Sequence, residues 1–185
     1  MSPSDRTFLV MALMTFGVVA ATVAWTSPLA RRIWAPAALA LLLAGGVVAA
    51  TVGPEVDIGD GQAILIVALG GLLAVAGGGP LTALIFDLVD RRETPADSLD
   101  RAGHVLRGGA WIGALERAAI FATLVAGWPE GLAVVLAVKG LGRYPELRAA
   151  EDGVRTGAAE RFIIGTFASV LWACGCAGIV VLLGR

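Results

Sequence analysis

Three pairs of charged side chains lie inside otherwise apolar stretches, and these are the residues best placed to do chemistry: Glu116 with Arg117, Lys139 with Arg143, and Glu160 with Arg161. A charge in such a segment needs a partner, because an unpaired ion in a low-dielectric surrounding is expensive. Glu116 and Lys139 can pair as a buried ion bridge. Arg143 and Arg161 can hold an anion, since the planar guanidinium fork bonds two oxygens of a phosphate at once. Glu160 can instead satisfy one of those arginines internally. The cluster therefore admits three readings: ion pairs that fix helix register, a binding or transport site, and acid–base catalysis through Glu116 or Glu160.

Catalysis has the least support. The chain contains no Ser/His/Asp arrangement, HExxH, GxSxG or P-loop, so no catalytic residue is assigned. The single histidine, His104, lies in a polar stretch and reads as a solvated residue. Cys174 and Cys176, two apart on one helix, point to different faces and make poor disulfide partners. No metal set and no cofactor are expected.

The elements that must position the charges are helices in lipid. Hydrophobic residues make up 57% of the chain and charged ones 16%, against about 45–50% and 25% in ordinary globular proteins. The net charge of −1 is dispersed, which sets nucleic-acid binding aside. Among the cations thirteen are arginine and one is lysine; with so much alanine, glycine and valine this points to a GC-rich bacterial coding sequence and a bacterial inner membrane. The expected fold is all-α: a single polytopic transmembrane bundle with about six spans, 7–25, 33–52, 62–78, 109–127, 129–144 and 160–183, each near the ~20 residues needed to cross a bilayer. The first reads as a retained span rather than a cleaved signal, because Asp5 offsets Arg6 in a weakly basic leader.

Arginines sort the loops. Arg31 and Arg32, then Arg91, Arg92, Arg101 and Arg107, then Arg148 and Arg155 fall in alternate connections, whereas the loop with Glu55, Asp57 and Asp60 and the turn around Trp128 hold no Lys or Arg. The positive-inside rule puts the arginine loops in the cytoplasm and both termini outside. At about 1.5 Å per residue, Glu116 lies about 10 Å in from the cytoplasmic start of span four and Lys139 about 15 Å down from the outer start of span five, depths at which they can meet. Side chains lean toward their helix N-terminus, so Arg117 is expected to snorkel to the inner headgroups, while Lys139 needs an internal anion. Trp172, in mid-span, is expected to pack in the core.

The run Gly77-Gly-Gly-Pro80 reads as the end of span three, followed by a short amphipathic interfacial helix over 80–90. Its glycines can kink the chain or offer backbone N–H groups to an anion. Small residues four apart, Gly45 with Ala49, Gly70 with Ala74 and Gly78, and Gly165 with Ser169, Ala173 and Ala177, permit close helix packing within the chain or in a homo-oligomer.

The stretch Trp111-Ile-Gly-Ala-Leu-Glu116-Arg117, then Lys139 to Arg143 and Glu146, then Glu160-Arg-Phe-Ile-Ile-Gly-Thr166 resembles a group of small bacterial polytopic membrane proteins over about the C-terminal 80 residues. The resemblance implies that Glu116, Arg117, Lys139, Arg143, Glu160 and Thr166 form a shared core, and it adds Thr166 to the candidate binding set. It implies no activity, substrate or cofactor. The expected function is binding or movement of an anionic lipid headgroup or small anionic solute at a cytoplasmic-side site. The alternatives are an accessory subunit of a larger membrane complex and a lipid-modifying enzyme.

Overall fold

Among the residues the structure describes, six helices form: α1 (Pro3–Val23), α2 (Pro28–Ala49), α3 (Asp60–Asp90), α4 (Gly109–Val125), α5 (Glu130–Ala149) and α6 (Asp152–Leu183). The computed structural model describes residues 2–52, 59–90, 109–149 and 152–184, with side chains for these except 3, 90, 143–149 and 152–158. Each of the first two helices starts on a serine cap followed by proline. The Ser2 hydroxyl accepts from the Asp5 amide while the Asp5 carboxylate accepts from the Ser2 amide, and the Ser27 hydroxyl accepts from the Ala30 amide.

Four segments are long and apolar enough to cross a membrane: Ser4–Val23, Pro28–Ala49, Asp60–Val89 and Ala159–Leu183. The other two helices, expected as spans four and five, differ for separate reasons. α4 has 17 residues, about 25 Å of rise, at the short end of the spanning range. α5 has 20 residues but carries Lys139, Arg143, Glu146 and Arg148. Large apolar side chains point outward on every helix, among them Phe16, Leu43, Ile64, Leu115, Leu141 and Phe167. So much exposed apolar surface suits lipid rather than water.

α3 and α6 form the centre. α3 packs against α1, α2, α4 and α6, and α6 against α2, α3, α4 and α5. Met14, Leu42, Leu73, Trp172, Cys176 and Ile179 are buried where these helices meet. The small-residue ridges are used inside the chain: a Cβ at Gly70 would come within 2.7 Å of Val180, and one at Gly165 within 2.9 Å of Phe86. These positions therefore allow close approach of α3 to α6.

One expectation is corrected. α3 does not stop at Gly78 and restart at Pro80; it runs unbroken for 31 residues from Asp60 to Asp90. The last turns of α3 are tied to α2 by an ion pair, Arg31 Nη2 to Asp87 Oδ2 at 3.3 Å. What lets the helix continue through three glycines and a proline is supplied by other helices.

Candidate functional site

Proline at position 80 has no amide hydrogen, so the Ala76 carbonyl one turn earlier loses its helical donor. In lipid such a group must find another partner. The Trp25 indole, just past the end of α1, donates to Ala76 O at 2.8 Å. Three neighbouring carbonyls are also engaged. The Trp172 indole on α6 donates to Leu73 O at 2.9 Å, and Arg117 on α4 donates from Nε to Ala74 O at 3.1 Å and from Nη2 to Val75 O at 2.8 Å. Four successive carbonyls of one turn thus accept from three side chains belonging to three separate parts of the bundle.

The glycines that follow make room for the same side chains. A Cβ at Gly77 would overlap the Trp172 ring, one at Gly78 the Arg117 side chain at Cδ, and one at Gly79 the Trp25 ring. The Gly-Gly-Gly-Pro run is therefore a collar: glycines admit three donors, and proline frees a carbonyl for one of them. The contacts are made by the carbonyls of the turn before it, Leu73 to Ala76, rather than by the amide groups of the run considered from sequence.

Replacing Trp25 by Phe should lower stability by about 2 kcal/mol, within the cost of stranding a polar group. In a Pro80→Ala background, where the amide returns to position 80, the same change should cost less than about 1 kcal/mol. Equal losses in both backgrounds, measured by thermal unfolding in detergent, would show that Trp25 does not serve that carbonyl.

Arg117 does not snorkel. It is only 4% exposed, because it bonds the α3 carbonyls and the missing Cβ at Gly78 lets the side chain reach them. Its Nη1 also contacts Ser169 Oγ on α6 at 3.4 Å. Its neighbour Glu116 forms an ion pair with Lys139 of α5, both side chains being largely buried at 14% and 18% exposure. Lys139 Nζ lies 5.9 Å from the Phe162 ring centroid, which adds a cation–π contact.

These groups line one side of a cavity of about 370 Å³ between α3, α4, α5 and α6. Arg161, Thr166 and Ser169 reach it from α6, and Phe86, Ile112 and Phe162 supply apolar wall. Thr166 Oγ1 is buried and has no hydrogen-bond partner among the described residues. Of the sequence-derived set, the cavity thus brings together Glu116, Lys139, Arg161 and Thr166. Glu160 is exposed and does not line it. Arg143 sits on α5 one turn beyond Lys139, and its side chain lies outside the described residues. The arginine loop 91–108 and the acidic residues Glu55 and Asp57 also lie outside them.

From sequence Arg117 belongs to the charged constellation but is directed to the headgroups, and Ser169 and Trp25 are not marked as site residues. Pro80 inside an apolar helix was the available signal, since it demands a donor from elsewhere.

Fold and site together define an all-α bundle with several helices able to cross a membrane and a charged cavity between α3, α4, α5 and α6. No protein-family model, curated protein or solved structure matches the chain.

Proposed function

We propose that the chain is a polytopic protein of a bacterial inner membrane, with six spans and both termini outside, that binds an anion through this cavity from the cytoplasmic side. The anion is a lipid headgroup or a small solute. The observation that carries the reading is Arg117 in the lining, a cation additional to the Glu116–Lys139 pair, whose two charges balance each other. Among the described residues the hydrogen bonds of Arg117 go to neutral acceptors, the carbonyls of Ala74 and Val75 and the Ser169 hydroxyl. An anion is the natural complement to a cation so placed. Arg143 and Glu160, close in sequence to Lys139 and Arg161, belong to the same reading at the cavity's cytoplasmic approach.

The test is mass spectrometry of anions and lipids retained by protein purified in mild detergent. Wild type should retain an anionic species at near-stoichiometric level, and Arg161→Gln should retain severalfold less. Equal retention by the two would remove the cavity as the site. For the orientation, a cysteine placed at Asp57 should react with an impermeant maleimide in intact cells and one at Asp97 should not. The reverse pattern would invert the topology.

A further inference from the structure

We infer that the cavity receives the headgroup of an acidic phospholipid, its phosphate oxygens shared between Arg117 and Thr166 and its chains leaving along the Ile112 wall. This rests on the anion-binding reading above. Two groups set the polar end. A guanidinium carries five N–H donors. The contacts to Ala74, Val75 and Ser169 use Nε and one N–H on each terminal nitrogen. Arg117 is thereby clamped from behind with N–H groups to spare. Thr166 Oγ1, one turn before Ser169 on α6, is a buried hydroxyl with no partner among the described residues. A guanidinium with N–H groups to spare and an unused hydroxyl, both in the lining of one cavity, suit oxygens that only accept, two on one centre, which is the pattern of a phosphate. Lys139 is committed to Glu116, and Arg117 lines the cavity as a further cation able to face this ligand.

The walls distinguish an amphiphile from a free ion. Phe86, Ile112 and Phe162 line the cavity with apolar surface that an inorganic anion would leave bare. Ile112 is itself 54% exposed and continues into the outward face of α4, where Trp111 and Leu115 are 76% and 69% exposed. The cavity wall and the lipid-facing surface of α4 are thus one continuous apolar strip. A ligand with a charged head and hydrocarbon chains fits both ends.

The experiment places the full chain in nanodiscs of phosphatidylcholine, alone or doped with phosphatidylglycerol, with inorganic phosphate as the competing probe and native mass spectrometry as the readout. Wild type should hold one phosphatidylglycerol that equimolar inorganic phosphate does not displace. Thr166→Val should hold it about tenfold more weakly, the loss of one hydrogen bond to a charged group, and Thr166→Ser should behave as wild type. All three should melt alike in pure phosphatidylcholine, because Thr166 gives up no described protein partner. Unchanged retention in Thr166→Val would overturn the assignment of Thr166. Binding of phosphate in place of the lipid would overturn the lipid while leaving anion binding intact. If neither probe binds, the anion-binding reading falls as well.

Discussion

Alanine at Gly78 should lower stability by about 3 kcal/mol, the upper end of what an added methyl costs in a packed interior. The new Cβ would collide with Arg117 at Cδ, and Arg117 cannot retreat without abandoning Ala74 and Val75. The loss therefore combines overpacking with broken charge-assisted hydrogen bonds, each worth about 1.5–3 kcal/mol. Gly140 on α5 is the control: a Cβ there meets nothing within 4 Å, and Gly140→Ala should be neutral or slightly stabilising through helix propensity. Thermal unfolding of the two variants in the same detergent compares them directly. Similar behaviour of Gly78→Ala and Gly140→Ala would show that the collar is not closely packed in the protein.

Removing one member of the Glu116–Lys139 pair should be comparably damaging, and removing both should restore much of the loss. A lone charge left near a helix centre in the membrane costs about 2.5–3.5 kcal/mol on insertion scales. Breaking a buried pair from one side typically costs 3–5 kcal/mol, whereas replacing both ions by neutral groups is often close to neutral. Glu116→Gln and Lys139→Met should each lower stability by about 3 kcal/mol, and the double variant by about 1 kcal/mol. The pair joins α4 to α5, and α5 otherwise touches little beyond α4 and α6, so the single variants should also loosen α5 to protease. Additive losses would mean that the two charges act independently.

How much of this could be read from the sequence depended on whether a residue's partner could be ranged along a helix. Apolar runs follow from composition, and four of the six expected spans, 7–25, 33–52, 62–78 and 160–183, overlap helices long and apolar enough to cross a bilayer. Glu116 and Lys139 lie at matching depths by the helical rise alone, and in the structure they are in contact. Arg117 is one residue further on and did not yield to the same argument. Depth and lean direct it toward the headgroups, but its actual partners are carbonyls on a helix made about forty residues earlier, reached only because position 78 lacks a Cβ. Gly-Gly-Gly-Pro misled for the same reason. Judged locally it ends a helix; Trp25, Arg117 and Trp172, which let the helix continue, are distant in sequence and carry no mark of that role. Thr166 entered the candidate set only by resemblance, and its unpartnered hydroxyl is visible only in three dimensions.

The collar also implies an order of biogenesis. A chain is made from its N-terminus, so α3 can pack when Trp25 already exists and Arg117 and Trp172 do not. The proline-freed Ala76 carbonyl can be capped at once by Trp25, docking α3 onto the α1–α2 hairpin, while the Ala74 and Val75 contacts wait for α4 and the Leu73 contact waits for α6. The turn then closes like a clasp, with α6 completing contacts on a segment laid down in α3.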